Sequence, residues 1–115
     1  MIFAADTEER SLHVFPDAET AAAYCEGLDV EATLWLFWDD DGLPLEPQFT
    51  IPNKRGLFTG TSGTYHLVKN ASSDSGVLQE ALAHIRQVIG ETPLNSIRAV
   101  QDYLNRHAAG KPRPA

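Results

Sequence analysis

Thr33-Leu34-Trp35-Leu36-Phe37-Trp38-Asp39-Asp40-Asp41-Gly42 is the stretch that decides the fold of this 115-residue chain. Six consecutive apolar or β-favouring residues predict a strand that is hydrophobic on both faces. That is the pattern of a central strand with helices over one side. Alternation sets Leu34, Leu36 and Trp38 on one face and Trp35 and Phe37 on the other. Asp41-Gly42 then suits a hairpin turn, because the pair tolerates positive φ. Leu43 to Thr50 returns beside the strand, with Pro44 and Pro47 confining it to an edge or an irregular path.

Upstream, Ile2 to Ala5 and Leu12 to Phe15 predict an antiparallel hairpin across the polar turn Asp6–Arg10. Pro16 ends the extended run. Asp17 is placed to cap a helix over Ala18 to Glu26, with Glu19 in its first turn and Gly27 as a left-handed stop. Downstream, Pro52-Asn53-Lys54-Arg55-Gly56 reads as a turn. Leu57 to Thr59 and Thr64 to Val68 read as strands joined by Gly60-Thr61-Ser62-Gly63. Asn70 to Ser75 is a polar connection, with Asp74 or Ser75 as helix cap. Leu78, Leu82, Ile85 and Ile89 then fall at spacings of 4, 3 and 4, one apolar helical stripe closed by Gly90. Thr92 and Pro93 suit the cap and first turn of a last helix with Ile97, Val100 and Leu104 facing inward.

These segments predict an α+β domain. It has an antiparallel sheet of about five to six strands, two C-terminal helices packed on one face, and a short helix after the second strand. Residues 1–108 form the domain and residues 109–115 a flexible tail. Hydrophobic residues make up 43% of the chain and charged ones 22%, ordinary values for a globular protein. A lone cysteine, Cys25, excludes an internal disulfide. The N-terminus lacks the basic flank of a signal peptide, and no apolar run approaches the ~20 residues of a membrane helix. The expected location is the cytoplasm, with no membrane association.

Charge is sorted by position. Residues 1–50 hold twelve carboxylates against one base, Arg10, a net −11; residues 51–115 hold four against eight bases, a net +4. Together they account for the −7 of the whole chain. An acidic chain repels a phosphate backbone, so nucleic acid is excluded as a partner and a basic protein is favoured.

No set of residues announces a reaction. An EF-hand loop with Gly42 at its sixth position would begin at Phe37 and end at Gln48, where carboxylates are required, so that reading fails. The glycine-rich stretch Gly56–Gly63 lacks the Gly-Lys-Ser/Thr of a phosphate-binding loop and runs into a strand. His13, His66, His84 and His107 show no metal-ligand spacing with one another or with Cys25. Cys25 sits late in a helix beside Glu26, a setting that suppresses the thiolate. No cofactor, metal or catalytic residue is therefore assigned. The strongest candidate site is a partner-binding surface of Trp35, Trp38, Asp39, Asp40, Asp41 and Glu46, because aromatics rimmed by charge make interface hot spots. Its alternative is that both faces of the strand are buried.

The chain resembles the small acidic immunity proteins of bacterial polymorphic-toxin systems. The resemblance is carried by Met1 leading into a strand, His13-Val14-Phe15 before a helix ending Tyr24-Cys25-Glu26-Gly27, Trp35–Gly42, and Pro52–Gly56. It implies a non-enzymatic inhibitor of a cognate, basic toxin domain, and it transfers no individual functional residue. Two other readings stand beside it: a small-molecule-binding or metabolic enzyme using His13 or His66 with a carboxylate, and a homodimeric adaptor joined through an aromatic sheet face or an edge strand.

Overall fold

The computed structural model describes residues 1–55, 60–70, 76–91 and 93–109. The expected strand Leu57–Thr59, the caps Asp74, Ser75 and Thr92, and positions 110–115 of the expected tail lie outside these residues. Within them the fold is α+β: a six-stranded, mostly antiparallel open sheet with four helices.

β1 (Ile2–Asp6) and β2 (Ser11–Phe15) form the expected hairpin, pairing Ile2 with Phe15 through to Asp6 with Ser11. β3 (Trp35–Trp38) lies on the other side of β1, with Phe3 opposite Trp38 and Asp6 opposite Trp35. β4 (Pro44–Ile51) follows the Asp39–Gly42 turn, where Gly42 takes φ +74°. β4 lies inside the sheet, between β3 and β7 (Thr64–Lys69). Its prolines are accommodated because β3 pairs only with Pro44 and Leu45. The register with β3 ends at Leu45, so Pro47 removes no ladder hydrogen bond there. β5 (Lys54–Arg55) and β6 (Gly60–Thr61) make a separate two-stranded ribbon where the sequence predicts only turns.

Asp17 caps α1 (Ala18–Tyr24) as expected, its carboxylate accepting from the Thr20 amide at 2.7 Å. Gly27 does not stop this helix; it opens α2 (Gly27–Glu31), while Cys25 in extended conformation ends α1. Gly27 does not take the left-handed φ that a glycine helix stop needs, and what calls for glycine here is steric. A Cβ on Gly27 would come within 2.6 Å of the Asn53 side-chain oxygen, so the site requires glycine for close approach.

The C-terminal third departs furthest from the helical pattern. α3 spans only Leu78–Ala81 and continues as a 3-10 turn over Leu82–His84. Gln87–Ile89 is a strand, β8, which lies parallel to β2 with Val88 opposite Leu12. The Arg86 amide donates to the Arg10 carbonyl at 2.7 Å and starts this pairing. Leu78, Leu82 and Ile85 keep the inward face predicted for them, but Ile89 crosses to the opposite face of the sheet and is 48% exposed. α4 (Ile97–Ala109) starts four residues after Pro93, because Ser96 supplies the cap by accepting from the Ala99 amide at 3.1 Å.

Helices cover both faces of the sheet. On one, Ile2, Ala4, Phe15, Phe37, Leu45 and Tyr65 pack under Ala21, Cys25 and Val30 from α1 and α2. On the other, Phe3, Ala5, Leu12 and Trp38 pack under Leu78, Leu82, Val100 and Leu104. The strand at the centre is therefore buried on both sides, with Phe37 1% and Trp38 0% exposed. Among the described residues no helix is long and apolar enough to cross a membrane.

Candidate functional site

The six residues singled out from sequence occupy three different environments. Trp38 is a core residue. Its indole N–H donates to the Gly76 carbonyl at 2.9 Å and its ring is sealed beneath α3 and α4, so it offers no surface to a partner. Its assignment to a binding surface is corrected on that ground. Trp35 points to the opposite face, half-buried beneath α1.

Asp39, Asp40, Asp41 and Glu46 are half-buried. One Asp39 oxygen accepts from the amides of Asp41 at 2.9 Å and Leu43 at 3.1 Å, which closes the turn. Asp40 accepts from the Tyr103 hydroxyl at 3.0 Å and lies 3.1 Å from the Met1 amine. Burial, and then this bond, push the Tyr103 hydroxyl above its ordinary pKa. His107 stands 3.0 Å from Asp41. Lys69 lines the same concavity as the three aspartates. The acidic turn is thus held by groups of its own chain, brought from both ends of the sequence.

A second acidic region is formed where the first 31 residues fold together. Glu8 and Glu9 on the β1–β2 turn, Asp17 and Glu19 at the start of α1, and Glu26 and Glu31 at the two ends of α2 are all exposed. No lysine or arginine occurs between Arg10 and Lys54, so α1 and α2 carry no base at all. Aromatic side chains sit within this region. Tyr24 at the end of α1 is 57% exposed, and Trp35 meets it edge-on with ring centroids 5.9 Å apart. His13 lies beneath them, 5.3 Å from Tyr24 and 5.1 Å from Trp35. Exposed Ile89 lies opposite His13 on β8. The sequence signal for this cluster was the strand alternation that sends Trp35 and Phe37 to one face. Tyr24 and Ile89 carried no signal, since one depends on how α1 docks and the other on β8 pairing with β2.

The histidines do not converge. His13 and His66 lie on strands separated by four inter-strand steps, about 19 Å at ~4.8 Å per step. His13 Nε2 stands 3.2 Å from Ser11 Oγ, but Ser11 is 2% exposed and cannot meet a substrate. Burial lowers the His13 pKa, partly offset by the charge of Asp6. Cys25 is buried, and desolvation together with Asp29 and Asp6 pushes its pKa up to about 12, so it stays a packed thiol. The Tyr65 hydroxyl, which donates to the Cys25 carbonyl at 2.6 Å, is likewise raised by burial. Among the described residues, no group of three or more His, Cys, Asp or Glu side chains is arranged to hold a metal ion.

Asn53 ties the acidic layer to the ribbon. Its amide nitrogen donates to the Gly27 carbonyl at 3.0 Å and to a Glu31 carboxylate oxygen at 2.6 Å, while its oxygen accepts from the Gly63 amide at 2.7 Å. The Leu28 amide donates to the Ser62 hydroxyl at 3.4 Å. The sequence from Pro52 onward therefore braces α2 rather than merely linking strands. No family model matches the chain, and neither characterised proteins nor solved structures yield a significant match.

Proposed function

We propose that this chain is a non-enzymatic protein-binding module, an immunity protein that neutralises a cognate basic toxin domain through an acidic, aromatic-edged surface. The observation that carries the reading is the exposed acidic layer of α1, α2 and the β1–β2 turn, which contains Tyr24 and Trp35 and, from Ser11 to Asn53, no lysine or arginine. Uncompensated surface acids steer a basic partner and raise its association rate. The aromatic pair provides rigid apolar area at the centre, with charge around it to exclude water at low cost in entropy. The Asp39–Asp41 turn lies at the far end of β3, about 13 Å from Trp35 at ~3.3 Å per residue, while Glu46 lies nearer, one residue past the Leu45 that pairs with Phe37.

The test is reconstitution with the product of the adjacent gene. Co-expression should protect cells from that protein, and the purified pair should form a stoichiometric complex whose association slows as salt is raised. A full-length pair that neither associates nor protects would overturn the reading.

A further inference from the structure

Trp35 stands at the start of β3 on the α1 face, and the residues around it follow from strand register. Direct partners across a ladder share a face about 5 Å apart at Cβ, and Asp6 of β1 is the partner of Trp35. The next residue of β1 on this face is Ala4, which pairs with His13 on one side and Phe37 on the other. Its methyl leaves room above β1, so the Trp35 and His13 rings meet across it at 5.1 Å and 74°. Tyr24 closes the corner from α1, edge-on to Trp35 at 81° and tilted over His13 at 5.3 Å. His13 is 9% exposed and serves as backing, whereas Tyr24, at 57%, presents its ring to solvent.

The charge beside this corner is negative and only partly used. Asp6 is half-buried, and one of its oxygens accepts from the amides of Glu8 and Glu9, both at 3.0 Å. Among the described residues the other oxygen takes no hydrogen bond, which leaves acceptor capacity next to the indole. Burial holds the His13 pKa down, so no positive charge stands behind the rings at neutral pH. α1 and β3, the elements that supply Tyr24 and Trp35, contain no lysine or arginine to fill the corner from within.

We propose that this corner receives one arginine side chain of the basic partner. The flat guanidinium stacks on the exposed Tyr24 ring against Trp35, and its N–H groups reach the second Asp6 oxygen. A lysine ammonium is a compact, strongly hydrated charge that gains less from a flat aromatic wall. A quaternary ammonium is held by rings on several sides, whereas these rings form an open corner. An anion would meet Asp6 and the acidic layer around it. The inference rests on the partner-binding reading and names the group that this surface takes.

Nuclear magnetic resonance titration with the peptide acetyl-Gly-Lys-Arg-Lys-Gly-amide, set against its counterpart with a central lysine, tests it without the partner. At about 20 mM salt the arginine peptide should bind with a Kd of about 5 mM or tighter, at least about threefold tighter than the lysine peptide. The Trp35 indole N–H signal should move, while that of Trp38, bonded to the Gly76 carbonyl, should stay in place. Tyr24→Leu and Asp6→Asn should each weaken the arginine peptide about threefold, and Tyr24→Phe should keep its affinity. Asparagine can still accept from the Glu8 and Glu9 amides and Tyr24 is exposed, so thermal midpoints should hold. Equal affinity for the two peptides, an unmoved Trp35 signal, or undiminished binding by Tyr24→Leu would each overturn the proposal. Selection of arginine by the corner, with no association of the adjacent gene's product, would remove the toxin and keep the site.

Discussion

The Asp39–Asp41 turn and the α1–α2 layer carry the same charge and use it in opposite ways. In the turn, three consecutive carboxylates are engaged by backbone amides, the Tyr103 hydroxyl, His107 and the Met1 amine. In the layer, Glu8, Glu9, Glu19 and Glu26 are spread over two helices and a hairpin, exposed, in a stretch with almost no base. Density of charge along a chain is thus a poor guide to charge available for a partner. A tight turn leaves amides that need acceptors, and aspartate is the residue that supplies them locally.

The two tryptophans of β3 offer the sharpest way to break this contrast. Trp38→Ala should cost about 3–5 kcal/mol of folding stability, because it empties a sealed site and orphans the Gly76 carbonyl. Trp35→Ala should cost about half as much or less, being half-buried, yet weaken partner binding by more than about tenfold. Urea midpoints for both variants decide it, and equal losses of stability would erase the distinction between them.

Gly27→Ala probes the brace under the acidic layer. The added Cβ meets Asn53 at 2.6 Å, so stability should fall by about 1–3 kcal/mol. Partner affinity should fall with it if α2 must be held by Asn53 to present the acidic face.

Charge substitutions sharpen the comparison directly. Glu19→Lys with Glu26→Lys should slow association with a basic partner about tenfold at low salt, with little change in thermal midpoint. Asp40→Asn with Asp41→Asn should do the reverse, lowering stability by about 1 kcal/mol while leaving association nearly unchanged. Stopped-flow mixing and thermal melts separate the two outcomes, and a larger rate effect from the turn would return the interface to Asp39–Asp41.

The smallest expected effect is on pH dependence. Burial depresses the His13 pKa below its ordinary 6.5, so the unfolded chain binds this proton more readily than the folded one. Stability contributed by neutral His13 is complete above pH 6.5 and is lost as the pH falls through the window below that value. His13→Gln should flatten the fall in thermal midpoint between about pH 7 and pH 5. A variant as pH-sensitive as the parent would show that His13 is not responsible.

Much of the architecture was legible. Alternation along Thr33–Trp38 assigned each aromatic to its face, Asp17 was recognisable as a helix cap, and Asp41-Gly42 as a turn. The helical spacing of Leu78, Leu82, Ile85 and Ile89 was the most misleading signal. Three of its members do face the core, but pairing with β2 draws Val88 and Ile89 into a strand, and β-branched residues accept that readily. The binding surface was less legible than the fold. Trp38 and Asp39–Asp41 looked like an exposed pair in sequence, while the combination of exposed Tyr24 and half-buried Trp35 is separated by eleven positions.

Sequence alone determined the sign and sorting of charge, the hairpin of β1 and β2, the cap of α1 and the two-faced character of β3, since each rests on neighbours within a few residues. Only the tertiary structure decided which carboxylates are already engaged, which tryptophan is sealed, and that Ile89 lies opposite His13 on a strand. Those outcomes depend on contacts between segments as far apart as Asp40 and Tyr103, and burial is a property of what packs over a residue rather than of the residue itself.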